Sequence, residues 1–121
     1  LWGGFSIRSP RHSVYHAGDT GMGPIFETLG ESYGPFDFGL VPIGGYAPEK
    51  ILKSVHCNPE DAVALGKSMR CKQLLGIHWG TLPLTDEPMD EPPYRFHTAA
   101  KASGYAPEEV RTTMIGETIL L

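Results

Sequence analysis

The sequence has no surplus of positive charge, few cysteines and no long apolar run. Ten Lys and Arg against 14 Asp and Glu leave a formal net charge of −4. That balance excludes the basic stripe of a nucleic-acid binder. Its two cysteines, Cys57 and Cys71, are not part of any CxxC pair, so neither a disulfide framework nor a zinc knuckle is written here. Reduced thiols are expected, with a single Cys57–Cys71 bridge as the alternative. No apolar stretch approaches the roughly 18 residues that span a bilayer. The first residues lack the charged start and apolar middle of a signal peptide. An intracellular protein, with peripheral membrane contact left open, is the expectation.

What the chain does have is glycine and proline, 15 and 11 among 121 residues. That density of turn residues excludes a helical bundle and a coiled coil. A hydrophobic share of 40% with 20% charged residues is a globular composition. The length suits one domain.

Leu1–Arg8 alternates large apolar with small or polar residues, as a half-buried strand does. Ser9-Pro10-Arg11 is a turn, and His12–Ala17 resumes as a strand, predicting a hairpin. The glycine-rich run 18–24 is a tight loop ending in Pro24, which suits a helix start. Ile25, Phe26, Leu29 and Tyr33 have helical spacing. Phe38–Ile43 reads as an apolar strand before a second glycine-rich turn at 44–48. Asn58-Pro59-Glu60-Asp61 is a helix start: Asn58 can cap free N–H groups, and the acids favour the positive helix end. Ala62, Leu65 and Met69 then face a core. Gln73–Ile77 is a buried strand ending at His78-Trp79-Gly80. Residues 81–93, rich in proline and acids, form a loop, stiff enough to overhang a site. A helix over Tyr94–Ala102 and a terminal hairpin, Thr112–Ile115 with Thr118–Leu121, close the chain. Strands alternating with helices define an α/β class.

Three loop-edge residues carry potential chemistry. Asp19 follows a strand and is flanked by Gly18 and Gly21, so its carboxylate either projects from the strand end or bonds its own loop. His78 ends a strand and reads as metal ligand, general base or satisfied core residue. His56 precedes the Asn58 cap and by itself reads as a plain loop histidine. Asp86, Glu87, Asp90 and Glu91 read as a solvated acidic run. Asp and His are suitable zinc ligands, so these residues allow a metal site without closing one.

In order along the chain stand Gly18-Asp19-Thr20-Gly21, Gly34-Pro35-Phe36-Asp37, Pro42-Ile43-Gly44-Gly45-Tyr46-Ala47-Pro48 and His56-Cys57-Asn58-Pro59-Glu60-Asp61-Ala62. Ile77-His78-Trp79-Gly80-Thr81 and Glu91-Pro92-Pro93 follow. Together they resemble the C-terminal part of the N-acyl-phosphatidylethanolamine-hydrolysing phospholipase D family, within the metallo-β-lactamase superfamily. The Gly-Asp-Thr-Gly run is shared with other branches, while the combination is more specific.

The resemblance implies the C-terminal half of an αββα sandwich with two zinc ions at the sheet edge. It implies that Asp19 bridges the two ions, that His78 binds the second, and that His56 lines the site and assists catalysis. The implied reaction is phosphodiester hydrolysis of N-acyl-phosphatidylethanolamine, releasing N-acylethanolamine and phosphatidic acid. The implied partner is phospholipid at a membrane surface, with a homodimer compatible and no nucleic acid. The superfamily's HxHxDH motif does not occur in the sequence. Residues 1–121 are thus expected to be the C-terminal portion of one such domain, lacking its N-terminal half. The alternatives are another hydrolase of the superfamily, a lactonase or phosphodiesterase, or a half-domain inactive alone.

Overall fold

Residues 3–120 are described in the computed structural model, and their strands form one five-stranded sheet in chain order. The strands are β1 (Phe5–Arg8), β2 (Ser13–His16), β3 (Phe36–Pro42), β4 (Cys71–Ile77) and β5 (Val110–Thr112). β1 and β2 are antiparallel, as the predicted hairpin requires, and every later neighbour is parallel. Helices α1 (Ile25–Tyr33), α2 (Glu49–Leu52), α3 (Pro59–Ser68) and α4 (Glu91–Ala102) fill the crossovers. Parallel strands cannot be joined by a tight turn, so each connection needs such a helix. Right-handed crossovers that step one strand at a time place their helices on a single face of the sheet.

α3 packs on β3 and β4, α4 against α3 and β5, and α1 against α3. Its N-terminus forms as the sequence implied: Asn58 Oδ1 accepts from the Asp61 N–H at 2.7 Å, with Pro59 in the first turn. Ala62, Leu65 and Met69 are buried, as their spacing requires, and pack with Val41, Leu74 and Phe96 in the core. Burying a Leu or Phe side chain contributes about 1.5–3 kcal/mol. The opposite sheet face is less covered: Val14, Leu40, Leu75 and Ile77 are only half-buried.

Several expectations need correction. Leu1 and Trp2, placed in the first strand, lie outside the described residues, and β1 itself is exposed at all four positions rather than half-buried. As an edge strand paired only with β2, it has little to pack against. Ile25 and Tyr33 are exposed, so only Phe26 and, in part, Leu29 of the predicted α1 face turn inward. α4 begins at Glu91, three residues before the predicted start, because Pro92 and Pro93 are tolerated in a first turn. α2 has no counterpart among the predicted elements.

Among the described residues the terminal hairpin does not form, and Leu121, placed in its second strand, lies outside them. Val110–Thr112 joins β4 in parallel, and the turn at Met114–Glu117 is present without flanking strands. An isolated two-stranded ribbon is marginal in water, and Met114, Ile115 and Leu120 find no cover. The two cysteines are free and buried, so the bridge is absent. Burial pushes both thiols up to about 12, which keeps them protonated.

Candidate metal centre

The ends of the parallel strands build the site. β2 runs out at His16, and the Ala17 N–H donates to the Leu40 carbonyl at 2.9 Å, holding the departing chain against β3. The loop then turns so that the Gly18 N–H donates to His16 Nδ1 at 3.0 Å. This gives His16 a structural task and sets Asp19 at the loop tip. The Cys57 N–H donates to the Thr20 carbonyl at 2.9 Å, tying the Asp19 loop to the segment that carries His56. Gly21 allows this approach, since a Cβ there would lie 2.8 Å from the Ser54 backbone.

β3 and β4 supply the other side. The Ile43 N–H donates to the Ile77 carbonyl at 2.9 Å, keeping the strand ends together. His78 then adopts a left-handed backbone, φ +60°, which ends the strand and swings its ring over the Gly44–Gly45 turn. Its Nδ1 lies 3.2 Å from the Gly44 carbonyl oxygen. A carbonyl only accepts, so Nδ1 carries the proton and Nε2 keeps its lone pair. The Gly45 position suits glycine because its φ is +81°, and a Cβ there would press on His78 Cε1 at 3.3 Å.

The structure brings all three sequence-predicted residues together. Asp19 Oδ1 lies 2.7 Å from His56 Nδ1, and Asp19 Oδ2 lies 3.5 Å from His78 Nε2. The imidazole rings stack at 5.7 Å. At His56 the separation is that of an ion pair, but the ring is not aligned to hydrogen-bond the carboxylate. Its Nδ1 is buried with no hydrogen-bond partner. At His78 a lone pair confronts a carboxylate oxygen, two acceptors that only a proton or a cation reconciles. One ligand atom from each residue falls within 4.8 Å of the others. One carboxylate and two imidazoles are a donor set that could hold zinc or a similar divalent cation.

These groups lie in a cleft of about 460 Å³. Its far wall comes from the proline-rich loop, through Leu82, Pro83, Leu84 and Met89, so the loop does overhang the site. Its acids are not all solvated, however. Glu87 accepts from the Gly45 and Ala47 N–H groups at 2.6 and 3.0 Å and from the Thr85 hydroxyl at 2.9 Å. Burial alone would raise its carboxyl, but the backbone N–H bonds outweigh burial and hold it below the usual range. Glu91 accepts from the Tyr46 hydroxyl at 2.6 Å, and Arg95 reaches Glu49, Glu60 and Glu91 while lying over the Tyr46 ring. This network pins α2, α3 and α4 behind the Gly44–Gly45 turn. Spacing could not reveal it, because its members are up to 46 residues apart.

A mixed, mainly parallel sheet with a carboxylate and two imidazoles at its strand ends defines an α/β protein with a candidate metal centre. The sequence profile of the beta-lactamase superfamily domain matches residues 1–79. The chain belongs to the metallo-β-lactamase superfamily, on a branch similar to the N-acyl-phosphatidylethanolamine-hydrolysing phospholipases D. It is 43% identical over 85 residues to N-acyl-phosphatidylethanolamine-hydrolyzing phospholipase D 1 of Caenorhabditis elegans, covering 69% of this chain and 24% of that protein. The mitochondrial protein of the same description from Saccharomyces cerevisiae is 32% identical over 108 residues, 87% of this chain and 23% of its own length. Igni18, a metallo hydrolase of Ignicoccus hospitalis, superposes with a TM-score of 0.71 at 30% identity, over 96% of this chain and 44% of that one. The chain therefore spans about a quarter of the length of those two phospholipase relatives. Among the described residues, no helix is long and apolar enough to cross a membrane.

Proposed function

We propose that this chain is the C-terminal portion of a zinc-dependent phosphodiesterase of the phospholipase D type. Its substrate in this reading is N-acyl-phosphatidylethanolamine, cleaved to N-acylethanolamine and phosphatidic acid at a membrane surface. The observation that carries the reading is the convergence of Asp19, His56 and His78 in one cleft, in a chain that over 85 residues is 43% identical to a relative with that described activity.

The donor set fits zinc. Asp19, with Oδ1 toward His56 and Oδ2 toward His78, and His78, through the free lone pair of Nε2, would hold the metal. When bound, zinc supplies Lewis acidity at phosphoryl oxygens and brings the pKa of water toward neutrality. His56, its Nδ1 2.7 Å from Asp19 Oδ1, would hold or pass a proton within the cleft. Catalytic zinc takes about three protein ligands per ion. In this proposal the remaining ligands come from a partner half-domain, whose sheet covers the half-buried face of Val14, Leu40, Leu75 and Ile77. A homodimer is compatible with this arrangement.

The test is an assay of the full-length protein containing this chain on N-acyl-phosphatidylethanolamine and on a sugar lactone, with zinc measured in parallel. Lipid cleavage that follows zinc content is the expected result. Lactone turnover without lipid cleavage would replace the phospholipase reading with a lactonase, and two zinc ions held by residues 1–121 alone would overturn the half-domain reading.

A further inference from the structure

Three large apolar side chains on the proline-rich loop stay in contact with solvent: Leu82 is 65% exposed, Leu84 80% and Met89 40%. Exposed apolar surface costs free energy roughly in proportion to its area, so a free loop would fold these residues down. Instead the loop holds them out over Asp19, His56 and His78, as one wall of the shared cleft. The cleft is consequently two-sided, ionic on its floor and aliphatic on its wall. The complementary ligand has an anionic head and an aliphatic tail.

What holds the wall up is one carboxylate. Glu87 takes the N–H groups of Gly45 and Ala47, and it orders its own loop through the Thr85 hydroxyl. The Asp86 N–H returns a bond to the Ala47 carbonyl at 3.1 Å. The turn gripped in this way is the one whose Gly44 carbonyl orients His78. Wall and floor are thus registered against each other through residues 44–47. A carboxylate accepting several N–H and O–H bonds is among the stronger polar anchors available to a loop.

We propose that Glu87 is a positioning residue that latches the 81–89 loop onto the 44–47 turn, so that Leu82, Leu84 and Met89 form a subsite for the aliphatic part of an anionic ester ligand. The inference rests on reading this cleft as the hydrolytic site. It adds that chain-length selection is set by Glu87 through its hold on the loop, from a place in the lining of the same cleft.

The test uses ethyl and octyl phosphate as probes, both below micelle-forming concentration, with binding to the zinc-loaded full-length protein measured by calorimetry. The protein is expected to bind octyl phosphate about tenfold or more tightly than ethyl phosphate, as burial of several methylenes implies. Glu87→Gln, which loses one carboxylate acceptor, should cut that ratio to about threefold or less. Hydrogen exchange should meanwhile quicken at the Gly45 and Ala47 amides. Leu84→Ser, at a position too exposed to affect folding, should reduce the ratio without quickening those amides. No gain with chain length in the parent protein would overturn the subsite. An unchanged ratio in Glu87→Gln would overturn the latch. A chain-length gain in a protein that fails to cleave N-acyl-phosphatidylethanolamine would support the subsite and remove the phospholipase reading alone.

Discussion

His78 donates its Nδ1–H to the Gly44 carbonyl at 3.2 Å, and that bond decides which of its nitrogens faces Asp19. The remaining Nε2 points at Asp19 Oδ2 at 3.5 Å as a free lone pair. A ring held this way by a backbone carbonyl is pre-set as a ligand. In the full-length protein, Asp19→Asn and His78→Ala should each bring bound zinc close to background and abolish hydrolysis with it. Metal analysis by atomic emission on the purified variants checks this. Activity lost with zinc retained would reassign both residues.

His56 should separate from that pair. With Nδ1 buried and unpartnered beside Asp19, it is placed to handle a proton. His56→Ala is expected to lower kcat about 10²–10⁴-fold, the usual range for a lost acid–base group, while zinc content stays near normal. Zinc loss in this variant would make His56 a ligand.

Acid sensitivity should trace in part to a pair far from the cleft. Lys72 Nζ donates to Asp37 at 2.8 Å, and the Ser13 N–H and hydroxyl donate to its other oxygen. The Lys72 bond, then those from Ser13, hold the Asp37 carboxyl at about 2. A depressed folded-state pKa gives stability that is present above the unfolded value near 3.8 and is lost as pH falls toward 2. Lys72→Ala should therefore raise the Asp37 pKa in an NMR titration and shift acid unfolding to higher pH. The same loss of stability should appear at neutral pH, small because Lys72 is largely exposed, and should vanish near pH 2, where Asp37 is protonated in both proteins.

Packing yields a contrast between two leucines. Leu65 is fully buried on α3, and Leu82 sits on the exposed wall of the cleft. Leu65→Ala should cost about 2–5 kcal/mol in urea unfolding, through lost transfer energy and the cavity left behind. Leu82→Ala should stay within about 0.5 kcal/mol. Equal losses would mean that the proline-rich loop is part of the core.

The α/β alternation was readable wherever a local signal marked it, as at the Asn58 cap of α3 and the glycine-rich ends of β2 and β3. Asp19 and His78 were visible as candidates because each follows a strand and precedes glycine-permitted turning. Their partnership was not readable from spacing, since it is made by parallel pairing across β3. It entered through the family resemblance. Glu87, Glu91 and Arg95 were missed because their partners lie on other elements, and an acidic run reads as solvated until the fold supplies N–H groups to cap it. The terminal hairpin failed for the complementary reason. Apolar residues flank a turn at Gly116-Glu117, but among the described residues no strand or helix covers them.

Asp19 and His78 hang from β2 and β4, which do not touch as neighbours, because β3 lies between them. A ligand that joins the two residues therefore reports on three strands at once, and partial unfolding that releases any one of them destroys the binding site. Occupancy of the cleft is thermodynamically coupled to the whole sheet rather than to a loop. By mass action, a ligand at about 100 times its Kd adds about 2.7 kcal/mol to the unfolding free energy. The cleft would thus act as a keystone: if it holds a metal ion, removing the ion should lower the melting temperature of the whole sheet and not of one loop.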